Sequence, residues 1–216
     1  MMPTEKVAKS MWLRANYPAN KSSKTKRATI CDFGINDADY VVSPKINGNR
    51  EPCLAYATWR GMIQRCVDAE YKNKRPAYRD VTVWHGWQRF MSFRRWWLCN
   101  YVEGWELDKD IFSGINKVYS PTTCIFIPKW LNVFLKEKKN SGTPTGVFYE
   151  ESRGKFKASV SYDKKTINLG RFETQEEALY AYIAEKIRVA ESRRCEIEAI
   201  REGMFDRVIA LIKEGR

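Results

Sequence analysis

The sequence predicts an α+β chain of two small domains. Three observations carry this. Apolar residues recur at helical spacing twice in the first half, from Leu54 to about Glu70 and from His85 to Trp97. The stretch SGTPTG, residues 141–146, is built of turn and linker residues. Beyond it come three short runs of strand character and then a capped helix. With 216 residues, 44 % of them hydrophobic, the chain has material for two modest cores.

The elements follow in order. Residues 1–28 hold seven basic residues and one acidic one, and read as a flexible basic arm. Residues 28–53 carry turn formers (GINDADY, SPKINGNREP) among short β-type runs. In the first helix, Tyr56, Trp59, Met62, Ile63 and Cys66 fall three and four apart, with Arg60, Gln64 and Arg65 off the stripe. Val81 and Val83 alternate in a short strand. A second helix is expected from near His85, with Trp87, Phe90, Met91, Arg94 and Trp97 on one face. Such an aromatic stripe is core material before it is a stacking platform. Arg89, Arg94 and Arg95 are then left to present guanidinium groups outward. Leu107–Ile111 and Cys124–Ile127 read as two short strands joined by a loop. Pro128 suits the first turn of a helix, where its missing N–H is no loss. That helix is expected to run through Trp130, Leu131, Phe134 and Leu135.

After the linker, GVFYEE, KFKASVSYD and TINLGRF are three strands in quick succession. In the middle one, Phe156, Ala158, Val160 and Tyr162 alternate against Lys157, Ser159 and Ser161. Thr174 with Glu177 three residues on forms a capping box for the helix that follows. Its apolar stripe is Ala178, Leu179, Tyr182, Ile183 and Ile187. The helical pattern runs on past Arg201, Gly203 breaks it, and FDRVIALIKEG is a last helix. The division expected is an arm at 1–28, a first domain at 29–140, a linker at 141–146, a second domain at 147–190 and a helical extension at 191–216.

Composition narrows the function. The net charge is +12, which favours a polyanionic partner, most simply nucleic acid. No apolar run approaches the roughly 18 residues of a membrane span, so no membrane partner is expected. The six cysteines form no CxxC pair and His85 is the one histidine, which argues against a zinc finger. A lone histidine beside Trp84 and Trp87 is more simply structural. With no apolar core for a signal peptide near the N-terminus, a reducing cytoplasm is expected, with the cysteines as thiols.

Over about residues 145–187, the stretch TGVFYEESRGKFKASVSYDKKTINLGRFETQEEALYAYIAEK resembles the AP2/ERF-type DNA-binding domain. The Gly146-Val147 start, Gly154-Lys155-Phe156, Leu169-Gly170 and the run from Phe172 to Tyr182 carry the likeness. The resemblance implies a three-stranded sheet lying in the major groove of double-stranded DNA, with one helix on its back. The positions implied to face the groove are Phe148, Glu150, Arg153, Lys157, Ser159, Ser161, Thr166 and Asn168. Plant members place arginines and tryptophans there; this set offers fewer forked donors for guanine. The expectation is therefore a reading that leans on phosphate contacts, from Lys155, Lys157, Lys164, Lys165 and Arg171.

Residues 29–135 resemble phage and prophage proteins of the HNH homing-endonuclease type, which are often joined to an AP2 domain. The likeness rests on GINDADY, on Tyr56, Trp59, Met62, Arg65 and Cys66, on Trp87, Phe90 and Phe93, and above all on LDKDI…NKVYSPTTC. The resemblance implies a ββα-metal finger, in which a histidine activates water beside a divalent cation, here Mg²⁺. By position Asp108 stands at the metal ligand, Lys109 at the catalytic histidine, Thr123 near the loop-holding asparagine and Asn132 near the helix ligand. Strand alternation from 107 to 111 would put Asp108 and Asp110 on one face, so that Asp110 could serve as second ligand or base. Lysine is a poor general base at neutral pH. A surface ion pair on a hairpin accounts for Asp108, Lys109 and Asp110 equally well.

The function expected is thus a phage-type DNA-binding protein related to HNH homing endonucleases, with weak or absent cleavage because Lys109 replaces the histidine. An active Mg²⁺-dependent HNH nickase, a hydrolase, is the alternative. A phage inhibitor that occupies a host nucleic-acid enzyme is the second. Each would act in the cytoplasm, the host bacterial one if the chain is phage-encoded.

Overall fold

A computed structural model of the chain describes residues 5–136, 142–163 and 165–215. Helices and small sheets mix along it, as the α+β class requires. The chain divides into two compact units, 1–126 and 127–216. The division falls after Phe126, earlier than the 141–146 linker expected from composition. Within that stretch, residues 142–146 are tied into the second unit. Val147 N–H donates to the Pro144 carbonyl at 3.1 Å, and Ser159 N–H to that of Gly146 at 3.0 Å.

The first unit is built on helices α1 (Glu5–Asn16), α2 (Leu54–Val67) and α3 (Phe90–Asn100). Helix α1 corrects the expectation of a flexible arm. Val7, Ser10 and Leu13 recur at three-residue spacing and are buried. Arg94 of α3, expected to point outward, lies inside and fastens α1. Its Nη2 donates to the Ser10 carbonyl at 3.0 Å and its Nε to Ser10 Oγ at 3.2 Å. Its guanidinium also lies over the Tyr40 ring. A buried arginine is tolerable only with its donors paired in this way.

Trp59, Trp87, Trp97, Phe90 and Phe93 fill the core of this unit, as the aromatic stripe predicts. The Trp59 indole N–H donates to the Trp87 carbonyl at 2.7 Å, so the ring is buried without an orphaned donor. The second helix starts at Phe90 rather than His85. Residues 85–87 form one 3₁₀ turn. The backbone at Arg89 is then extended, because Ile35 brackets it: Ile35 N–H donates to the Gln88 carbonyl and Phe90 N–H to that of Ile35.

Strand β1 (Glu106–Asp108) pairs with β2 (Ile125–Ile127), and Thr82–Val83 pairs in parallel with Val118–Tyr119. The expected strand over 107–111 stops at Asp108; residues 110–113 are helical.

The second unit opens with α4 (Lys129–Phe134), with Pro128 at its N-cap. The sheet follows as strands β3 (Val147–Glu150), β4 (Lys155–Tyr162) and β5 (Lys165–Phe172), antiparallel in chain order. Val147, Ala158 and Ala178 form the small core beneath it, with Phe156, Leu169, Phe172 and Leu179 packed around them. Helix α5 (Gln175–Ser192) covers this face, and α6 (Met204–Lys213) closes the chain after a left-handed Gly203. Glu198 caps α6 by accepting from Gly203 and Phe205 N–H at 2.6 and 2.9 Å. The helical pattern expected to run past Arg201 breaks instead at Arg193.

The capping box at Thr174 is complete. Thr174 Oγ1 accepts from Glu177 N–H at 3.2 Å, and Glu177 accepts from Thr174 N–H at 3.3 Å. Thr174→Ala is therefore expected to lower the stability of the second unit by about 1 kcal/mol. Urea denaturation checks it. Adding Glu177→Ala on top should cost less than its effect alone, since the box is already broken.

Candidate nucleic-acid interface

The sheet has one covered and one open face, and the register fixes which residues share each. Phe148 stands opposite Lys157, and Lys157 opposite Arg171; Glu150 stands opposite Lys155. Ser159 faces Asn168 and Ser161 faces Thr166. A bulge at Leu169 lies between these two groups of pairs, so Asn168 and Arg171 stay on the same face although three residues apart. The face opposite α5 thus carries Phe148, Glu150, Lys155, Lys157, Ser159, Ser161, Thr166, Asn168 and Arg171. Of the residues expected to face the groove, only Arg153 lies off the strands, in the 3₁₀ turn Glu151–Arg153. Lys165 falls on the other alternation set of β5, and Lys164 lies outside the described residues.

Cross-strand polar pairs organise this face. Arg171 Nε donates to Glu150 at 2.6 Å, and the Arg153 guanidinium stands 3.7 Å from the same carboxylate. The Arg171 hydrogen bond holds the Glu150 carboxyl below its usual range. Lys155 pairs with Glu173 at 2.7 Å. Ser161 and Thr166 hydroxyls meet at 2.9 Å, and Asn168 accepts from Gly170 N–H at 3.2 Å. Lys157 has no ion pair among the described residues. Phe148 and Tyr149 are large exposed aromatics on β3.

In the first unit, the Asp108–Lys109–Asp110 segment has a different geometry from that expected. Asp108 is the last strand residue, and its Oδ1 accepts from Ile111 N–H at 3.0 Å, closing the turn into the helical residues 110–113. This local bond ends the strand, so Asp108 and Asp110 do not alternate on one face. Lys109 is 4 % exposed, and its ammonium meets Asp110 Oδ1 at 2.5 Å and lies over the Tyr119 ring. The surface ion pair read from sequence thus has a buried cation. Arg65 Nε donates to Tyr119 Oη at 3.1 Å, so two cations flank this phenol. Burial nevertheless pushes the phenol well above its usual range. Thr123 does hold its loop: Oγ1 donates to the Val118 carbonyl at 2.6 Å and accepts from Ser120 N–H at 3.0 Å.

Asn132, on α4, belongs to the second unit, so neither unit alone contains both Asp108 and Asn132. Among the described residues no group of three or more His, Cys, Asp or Glu side chains is placed to hold a metal ion. Mg²⁺ does not fit this arrangement. One Asp108 oxygen caps a turn, and a lysine ammonium stands against Asp110 where a cation would need that carboxylate. His85 sits in its 3₁₀ turn beside Trp84 and Trp87. Among the described residues no helix is long and apolar enough to cross a membrane.

Sequence reasoning missed one polar group of the second unit. Lys186 is 1 % exposed, on the same helical stripe as Ala178 and Tyr182. The four-residue spacing from Tyr182 was the available signal. No protein-family model, curated protein or solved structure matches this chain.

Proposed function

We propose that this chain binds double-stranded DNA, with the open face of the β3–β4–β5 sheet in the major groove. The observation that carries it is that face itself: Lys155, Lys157 and Arg171 stand among Ser159, Ser161, Thr166 and Asn168, opposite the helix-covered side. Three strands at about 4.8 Å spacing span about 10 Å. The major groove is about 12 Å wide, so the sheet enters it edge to edge. The net charge of +12 and the likeness of residues 145–187 to AP2/ERF domains support the same reading. Glu150 restrains Arg171 and Arg153, so among the described residues Lys157 is the cation at the centre of the face without an ion pair.

No cleavage step is assigned. The likeness to HNH homing endonucleases stays a resemblance, and the contact of the Lys109 ammonium with Asp110 supports the reading without efficient cleavage.

Fluorescence anisotropy with a duplex oligonucleotide tests the reading between 50 and 200 mM salt. Binding should weaken steeply with salt, and Lys157→Glu should lower affinity roughly tenfold or more with a shallower salt slope. Binding unaffected by salt and by Lys157→Glu would end this reading. Metal-dependent plasmid nicking lost in Asp108→Ala would replace it with the endonuclease. Tight capture of a host nucleic-acid enzyme without DNA would replace it with the inhibitor.

A further inference from the structure

Lys186 is a buried cation with no carboxylate partner among the described residues. Its Nζ donates to the Phe134 carbonyl at 2.7 Å, and it stands over the Phe134 and Tyr182 rings at 4.6 and 5.4 Å. A lysine ammonium has three N–H donors, and a buried charge with donors to spare is costly. It makes no ion pair among the described residues. It lines a cleft of about 50 Å³ in the second unit.

The rest of the lining is mixed, with Val133, Phe148 and Val160 supplying apolar walls beside a group of polar side chains. Lys136 supplies a second ammonium, and Thr145, Ser159 and Ser161 supply hydroxyls. Among the described residues no aspartate or glutamate lines the cleft. The volume exceeds what one water needs. Lysine ammonium groups and hydroxyl donors around a small recess make a complement for a tetrahedral oxyanion. Ser159 and Ser161 also belong to the open face of the sheet. The cleft is therefore at the margin of the surface assigned to DNA.

We infer that the cleft between Lys186 and Lys136 is a binding site for a phosphate-type oxyanion. Two sources share that chemistry, a phosphodiester of bound duplex and free inorganic phosphate. Lys186 would give the anion its remaining donors, and Lys136 would close the site from the outer side. Burial lowers the Lys186 pKa to about 8, so the amine remains mostly protonated at neutral pH and gains from an anionic partner. The anion site does not depend on the DNA reading, although the duplex source does.

The test uses the full chain and two probes. Inorganic phosphate is titrated while the backbone amides of Gly146, Ser159 and Ser161 are followed by NMR, with chloride at equal ionic strength as control. Duplex affinity is measured in parallel for wild type, Lys136→Ala and Lys186→Met. Saturable shifts that weaken in Lys136→Ala support the site, whether or not DNA binds. A roughly tenfold loss of duplex affinity in Lys136→Ala or folded Lys186→Met, without phosphate shifts, assigns the site to the DNA backbone. Phosphate shifts with unchanged duplex affinity assign it to free phosphate. No phosphate-specific shift, with duplex affinity unchanged in Lys136→Ala, overturns the inference. Lys136 lies on the surface, so that arm stands even if Lys186→Met fails to fold. A chain that binds no duplex at all defeats the proposed function and leaves the phosphate titration to decide the site.

Discussion

Gly146→Ala is expected to unfold the second unit, or to leave it about 4 kcal/mol or more less stable. Two effects add. Gly146 has φ +79°, in the left-handed region, where a Cβ costs about 1–2 kcal/mol. A Cβ there would also lie 2.0 Å from Cε2 and 2.1 Å from Cδ2 of Tyr182. Carbon atoms pack at about 3.5–4.0 Å, so the ring or the backbone must move by more than an ångström. Neither moves cheaply. Tyr182 is buried on α5 with Lys186 against its face, and the Gly146 carbonyl accepts the Ser159 N–H that starts the pairing of β3 with β4.

Gly154→Ala is the control. It has φ +62° but no atom nearer to its added Cβ than 3.9 Å, so it should lose only the conformational cost. Urea denaturation read through Trp130, the one tryptophan of residues 127–216, separates the two. Equal losses would sink the packing argument. Tyr182→Ala added to Gly146→Ala should recover part of the loss, because it removes the obstructing ring and leaves the φ strain. Since Gly146 begins the strand register, a Gly146→Ala chain should also lose its salt-dependent duplex binding.

The same residue shows what was legible in the sequence and why. Gly146-Val147 stood out as a strand start, because turn chemistry and β-alternation are local. The alternation in 155–162 and the Thr174–Glu177 box were readable for the same reason; alternation put Lys157, Ser159 and Ser161 on one face, and the rest of the open face was implied by the AP2/ERF resemblance. Local reading failed where a short-range side-chain bond competed with the pattern. Asp108 caps the turn at Ile111, and that single bond ends a strand which alternation carries on to 111. It failed again where tertiary contacts decide. In α1 only Val7, Ser10 and Leu13 face inward, too few to outweigh the basic composition of the arm, and it is Arg94, some eighty residues away, that fixes them. Periodicity placed Arg94 on the apolar face of α3, but its charge argued for solvent.

Lys186 is the extreme case, and it gives a pH dependence of defined sign. In the unfolded chain this lysine titrates at the ordinary 10.5; in the folded unit burial lowers it to about 8. Below pH 8 both states hold the proton, and the cost of burying the charge is present in full. Between 8 and 10.5 the unfolded state holds more protons, so raising the pH stabilises the fold. Across pH 8 to 9.5 the gain should approach about 2 kcal/mol. Tyr182, the phenol that faces Lys186, acts in the opposite direction but later. Its pKa is pushed up to about 12, so unfolding is favoured only as the free phenol ionises near 10. The window from 7.5 to 9.5 therefore belongs to Lys186 in this pair. Lys186→Met should lack that rise, and urea midpoints for the two proteins should converge as the pH climbs. Curves that stay parallel would show that the ammonium is not paying for burial. Saturating phosphate should flatten the wild-type curve, because an anion in the cleft raises the folded pKa back toward that of the free chain. The pH series thus reads the buried charge and its counter-ion in one experiment.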